Sequence, residues 1–224
     1  MNPLYKCDEL LHQLKASSSK AYIYHEDFRF EAESAALKYG NCEHMIMMGS
    51  GEKNTFADAA SNNDSNIVDF EKLRTSSLLD KSQLETISVT PKDTLLLPFS
   101  SGTTGLPKGV VLTHENVCVN LLQIDEAENK EQNLDTITLS PLPMWHIYGF
   151  SVSLLQQAWQ GRTLVTMKQF DLQRYLEIID EHSKEGTAVR SHIVPPIVLA
   201  LAKNELVDKY DMSSLKMLMS AAAT

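Results

Sequence analysis

Hydrophobic and polar positions along the chain change period block by block, and each block predicts an element. Leu10, Leu11 and Leu14 recur at helical spacing over residues 7–16, and 21–24 read as a short strand. Residues 28–39 predict a helix with Gly40 as its C-cap, and Met45-Ile46-Met47-Met48 a buried strand stopped by Gly49-Ser50-Gly51. The polar run 50–66 reads as a surface loop, and 70–92 is amphipathic without a clear period. Two apolar runs, 94–99 and 110–112, read as strands flanking a loop of small residues. Thr113 is placed to N-cap a helix with Glu115 in its first turn and Val117, Leu121, Leu122 and Ile124 on its apolar side. Residues 126–131 read as a charged, solvated loop, and 136–139 as a strand ending at Pro141. A helix follows Gly149 through about Trp159 and stops at Gly161; 162–167 is a strand. Leu172, Tyr175, Leu176 and Ile179 mark a helix over 172–182, 187–194 a strand, Pro195-Pro196 the start of a helix, and 215–219 a last strand. Strand alternating with helix predicts an α/β fold, a mostly parallel sheet with flanking helices.

The loop between the apolar runs carries the chemistry. Ser100, Ser101, Gly102, Thr103, Thr104 and Gly105 put four hydroxyls and two glycines into six residues, and Lys108 follows after Leu106-Pro107. Glycine permits close backbone approach, so N–H groups and hydroxyls can converge on one anion, and the lysine adds a mobile positive charge. These are the needs of a polyphosphate. The stretch is not a Walker loop, because Pro107 stands where a second glycine is required and Gly109 follows the lysine, nor does the chain contain G-x-G-x-x-G.

Composition narrows the partners. Twenty basic against 29 acidic residues give a net charge of −9, which with no basic cluster disfavours nucleic acid. Three scattered cysteines suggest reduced thiols in an intracellular protein. Cys42-Glu43-His44 lacks a second ligand pair, so no metal site is assigned to protein side chains. No apolar run reaches a membrane span, and no signal-peptide core precedes Lys6, Asp8 and Glu9.

Residues 100–110, Ser-Ser-Gly-Thr-Thr-Gly-Leu-Pro-Lys-Gly-Val, resemble the phosphate-binding signature of the adenylate-forming (AMP-dependent synthetase/ligase) superfamily, and most closely its 4-coumarate–CoA ligase-like, acyl-CoA synthetase branch. Asn2-Pro3-Leu4-Tyr5, the run Pro143-Met144-Trp145-His146-Ile147-Tyr148-Gly149, and Val194-Pro195-Pro196-Ile197 extend the resemblance over the chain. It implies that residues 1–224 are part of the AMP-binding N-terminal domain of the acyl-CoA synthetase/luciferase-like fold. The implied reaction is attack of a small-molecule carboxylic acid on the ATP α-phosphate to give an acyl-adenylate and pyrophosphate, then displacement of AMP by CoA. Ser100, Ser101, Gly102, Thr103, Thr104, Gly105 and Lys108 would cradle the phosphates, with Mg²⁺ bridging them; no CoA site is identifiable.

On residues alone, His146 between Trp145 and Tyr148 reads first as a core histidine. The resemblance instead places it at the junction of acid and α-phosphate. Lys108 and His146 are then the candidate catalytic residues, and His146, Tyr148 and Val152 the acyl pocket. Tyr148 and Phe150 can equally be core aromatics. The run Gly149-Phe150-Ser151-Val152 is more apolar than in the plant enzymes, which points to a fatty or other aryl acid.

The adenine and ribose motifs, hinge and lid lysine of the family have no counterpart here, so the chain reads as an internal fragment expected to be inactive by itself. The alternative is a non-catalytic remnant or regulatory isoform that binds phosphates or acyl groups. Localisation is expected in cytoplasm or peroxisome, with no Ser-Lys-Leu at the terminus.

Overall fold

The computed structural model describes residues 1–49, 67–76, 82, 86–100, 107–128 and 136–222. The predicted loop 50–66, the hydroxyl–glycine residues Ser101, Gly102, Thr103, Thr104 and Gly105, and the end of the predicted charged loop lie outside them. The chain divides into two compact units, Met1–Leu112 and Thr113–Thr224.

In the first unit, helix α1 (Cys7–Ser17) opens with the Glu9 carboxylate accepting from the Lys6 N–H and closes on Ser18 in the left-handed region. Strand β1 (Ala21–His25) leads through a short 3₁₀ turn into α2 (Arg29–Tyr39), which ends at Gly40 with φ of 74°. Strands β2 (His44–Met48) and β3 (Ile67–Asp69) complete a parallel sheet in the order β1-β2-β3. Leu10 and Leu14 of α1 pack with Ala32, Ala35 and Ala36 of α2 over Tyr22 and Tyr24 of β1. The alanines, three and four residues apart, let α2 approach closely. The methionine strand β2 is half-buried at its centre and exposed at both ends, short of the burial its composition predicts, because β3 adds just three residues beside it. Helix α3 (Phe70–Thr75) resolves part of the ambiguous stretch; Asp69 caps it by accepting from the Glu71 and Lys72 amides.

The predicted strand over 94–99 breaks at Leu97-Pro98 into β4 (Thr94–Leu96) and β5 (Phe99–Ser100). Proline supplies no N–H to a ladder, which fits the interruption. Strand β6 (Lys108–Gly109) follows, and β7 (Leu112–Thr113) marks the division between the units; Val110 and Val111 are not in a strand, although the Val110 N–H donates to the Pro98 carbonyl at 2.8 Å.

The second unit opens with α4 (His114–Glu128). Thr113 caps it: its Oγ1 accepts from the Asn116 N–H, and the Asn116 side chain accepts in return from the Thr113 N–H. Val117 and Leu121 are buried, whereas Leu122 is exposed. The helix runs to Glu128, so residues 126–128 are helical and not the loop that their charges predict. Strands β8 (Thr136–Ser140), β9 (Leu164–Thr166), β10 (Ala188–Ile193) and β11 (Leu215–Ser220) form a parallel sheet in the order β11-β10-β8-β9.

Between β8 and β9 the chain makes a π-helical segment, Gly149–Leu155, continued as α5 (Gln156–Gln160) to Gly161 in the left-handed region. Helix α6 (Leu172–Glu185) is capped by the Asp171 carboxylate on the Arg174 amide and by Gly186 at φ of 75°. It extends three residues past its predicted end, because Ser183 is tied to the Ile179 carbonyl and to Ser214. Helix α7 (Pro195–Lys203) starts on its two prolines.

One sheet face is apolar: Ile137, Leu139, Val189 and Ile193 pack against Tyr175, Ile178 and Ile179 of α6. Successive strand residues alternate faces, so Thr138, Ser140, Arg190 and His192 share the other face.

Candidate functional site

In the first unit the phosphate-loop residues within the description are Ser100 and Lys108. Strands β5 and β6 pair antiparallel with Phe99 opposite Gly109 and Ser100 opposite Lys108. Directly opposed residues project to the same face, so a hydroxyl and an ammonium stand side by side where the chain enters and leaves residues 101–106. Both side chains are exposed. Beside Lys108 is a cleft of about 560 Å³, walled by Leu97, Phe99 and Val111 and edged by His12, Pro107 and Lys108. The His12 Nε2 is 2.8 Å from the Pro107 carbonyl oxygen, and the His12 ring meets Phe99 edge-on at 6.3 Å. The residue pattern gives no warning of this contact, since 95 positions separate His12 from Pro107.

In the second unit His146, Tyr148 and Val152 follow β8 and lie in and just before the π-helical segment. His146 is exposed, which corrects the core-histidine expectation. The turn that holds it is fastened by its own N–H on the Pro143 carbonyl, and Gly149 permits that turn, since a Cβ there would collide with the Pro143 backbone. The His146 Nδ1 accepts from the Tyr148 N–H at 3.2 Å, which leaves Nε2 as the nitrogen not engaged by the turn's own backbone. Tyr148 is half-buried; its hydroxyl donates to the Met219 carbonyl at 3.1 Å, tying the π-helical segment to the end of β11. Burial raises the Tyr148 pKa and the Glu128 charge raises it further. Val152 is half-buried in the same segment.

Under Tyr148 lies a network that the reading of 126–131 as solvated missed. The Glu128 carboxylate is 3.2 Å from the Arg190 guanidinium, 3.9 Å from that of Arg162 and 3.5 Å from the His192 Nε2. These side chains are 4–9% exposed or less, His192 being 1%. His192 Nδ1 is 3.4 Å from Ser153 Oγ, which accepts from Ser140 Oγ at 2.9 Å; the Tyr148 ring stands 6.4 Å from that of His192. Thr138 donates to the Gln157 side chain. Burial pushes the Glu128 carboxyl up, but His192, Arg190 and Arg162 together outweigh it and hold the pKa below the ordinary value. Burial and Arg190 lower that of Arg162. The histidine packed in the core is therefore His192.

No group of three His, Cys, Asp or Glu side chains converges on a common point among the described residues. Nor is any described helix long and apolar enough to cross a membrane.

Comparison with known proteins bears on the fold and family. The chain is 34% identical over 224 residues to a 4-coumarate–CoA ligase of Vanilla planifolia, and 35% identical to 4-coumarate–CoA ligase 1 of Solanum tuberosum. Each alignment covers 99% of this chain; it spans about 38% and 37% of the respective relative's length. Among solved structures it resembles the luciferase-like enzyme from Zophobas morio, with a TM-score of 0.74 at 20% identity over 100% of this chain and 47% of the other. ATP-bound MatB from Rhodopseudomonas palustris gives a TM-score of 0.73 at 20% identity over 100% and 39%. These establish the α/β fold of luciferase-like and acyl-CoA synthetase proteins. The family model for AMP-binding enzymes matches residues 1–224, and the chain belongs to that family.

Proposed function

We propose that this chain supplies the phosphate-binding hairpin and acyl-pocket residues of an AMP-forming acid–CoA ligase. The observation that carries the reading is the cross-strand pair Ser100–Lys108 at the mouth of the hydroxyl–glycine stretch. In the proposed first step a carboxylate oxygen attacks the ATP α-phosphate and pyrophosphate leaves. Lys108 and Ser100, with Ser101, Gly102, Thr103, Thr104 and Gly105, hold the β- and γ-phosphates and offset charge gathering on the leaving group. Mg²⁺, when bound with the nucleotide, would supply further positive charge there. With its Nδ1 engaged by the Tyr148 N–H, His146 would use Nε2 toward the acid and the α-phosphate, and Tyr148 and Val152 would line the acyl chain. In the second step the CoA thiol attacks the acyl carbonyl and AMP leaves.

The acid we infer is not a wholly apolar one. Behind Tyr148 lies the polar Glu128–Arg190–His192–Ser153 network, which the apolar run Gly149-Phe150-Ser151-Val152 does not suggest. An aryl acid bearing a hydrogen-bonding group suits it better than a fatty acid.

The test is acid-dependent exchange of labelled pyrophosphate into ATP by the whole protein, across aryl, hydroxyaryl and fatty acids. The reading expects exchange with an aryl acid and its loss in Lys108→Ala. Exchange that persists undiminished in Lys108→Ala would overturn it.

A further inference from the structure

The phosphate-binding hairpin is poorly held by its own backbone. Strands β5 and β6 contribute two residue pairs, Phe99 with Gly109 and Ser100 with Lys108, followed by one further bond from the Val110 N–H to the Pro98 carbonyl. An isolated two-stranded pairing this short is marginal in water. Gly109 beside Lys108 adds backbone freedom. Something outside the hairpin must therefore fix the direction in which Lys108 points.

His12 meets that need. It sits on α1 between Leu10 and Leu14, 4% and 0% exposed, which root the helix in the core of the first unit. From this fixed base its ring reaches both strands, touching Phe99 of β5 edge-on and bonding the Pro107 carbonyl that immediately precedes Lys108. A carbonyl only accepts, so the His12 Nε2 carries the proton and donates it. We propose that His12 is a positioning residue for the phosphate-binding hairpin, holding the Pro107–Lys108 leg so that the ammonium stays opposite Ser100. This rests on the reading of the hairpin as a polyphosphate site. The route runs from the core through α1 and the imidazole to the proline carbonyl, and so to the lysine.

The experiment compares the 224-residue chain with His12→Ala, His12→Gln and His12→Asn. Glutamine places an amide nitrogen as many bonds from Cα as Nε2 is; asparagine falls one short. Three readouts are taken: histidine ¹⁵N–¹H correlation spectra, amide exchange at Lys108 and Val110, and calorimetric titration with magnesium-ATP. The spectra should show His12 protonated at Nε2. Exchange at these two amides should quicken about three- to tenfold in His12→Ala and His12→Asn, the range a single neutral hydrogen bond commands, and return to the parent rate in His12→Gln. Magnesium-ATP affinity should weaken by a similar factor and recover in the same variant.

An Nδ1-protonated His12, or equal exchange in all four proteins, overturns the proposal. So does a loss in His12→Ala that His12→Gln fails to recover, since that marks lost packing alone. Should the alanine variant not fold, the glutamine–asparagine contrast still decides. Absence of saturable magnesium-ATP binding by the parent chain would defeat the polyphosphate reading, while the exchange data would still decide whether His12 holds the hairpin.

Discussion

Replacing Glu128 by glutamine changes almost no volume and removes one buried charge. The carboxylate has Arg190 at 3.2 Å and Arg162 at 3.9 Å. At an effective dielectric of about 20, these separations correspond to gross attractions of roughly 5 and 4 kcal/mol, most of which offsets desolvation of the three ions in the wild-type protein. Glutamine abolishes the attraction but leaves both guanidiniums buried against each other. Breaking a buried pair in this way costs about 3–5 kcal/mol. For a unit of this size, about 4 °C per kcal/mol, the midpoint should fall by roughly 12–20 °C. Thermal unfolding followed by circular dichroism reads it, with exposed Glu126→Gln as a control expected within about 0.5 kcal/mol of the parent.

Acid titration adds a second reading. Because the folded pKa of Glu128 is depressed, its contribution is complete above the unfolded value of about 4.3 and is lost as pH falls through the lower folded value. Glu128→Gln should flatten that acid limb. A variant that melts within about 0.5 kcal/mol of the parent would refute the reasoning, since the network would then contribute no more than surface charges do.

Gly149→Ala should destabilise by about 1–3 kcal/mol in denaturant unfolding, because the added methyl meets the Pro143 backbone, which cannot step aside as a side-chain end would. Tyr148→Phe should cost about 0.5–1.5 kcal/mol through the lost bond to the Met219 carbonyl, and in the whole protein should raise KM for the acid more than for ATP. Tyr175, fully buried on α6, has its pKa pushed up to about 12 by burial. Its contribution is complete below the unfolded value of about 10 and is lost as pH rises toward the folded one, so stability should decline from about pH 10 and the decline should be shallower in Tyr175→Phe.

Elements whose signals are local were legible in the sequence. Helix α6 showed its apolar stripe within one window, although its end at Glu185 was placed three residues too early, and Thr113 announced α4. Strand alternation was legible too, and followed through it would have put Arg190 and His192 on the face of Thr138 and Ser140. The partner was hidden: Glu128 sits in a run of acids that composition assigns to solvent, and its bonding to residues 34 to 64 positions away is a tertiary fact. Likewise Pro98 betrays a break in the apolar run 94–99, but no pattern links His12 to Pro107. Exposure of His146 was misjudged from its aromatic neighbours; Trp145 is itself 43% exposed. The hydroxyl–glycine motif gave the family outright, because its chemistry is contiguous.

The most direct test of the central claim is calorimetric titration of the 224-residue chain with magnesium-ATP, alongside Lys108→Ala and Thr104→Val. Saturable binding that both substitutions weaken by about tenfold or more, the loss expected when a charge-assisted contact to phosphate is removed, is the predicted result. Binding that neither substitution alters, or none at all from a chain that melts cooperatively, would contradict it.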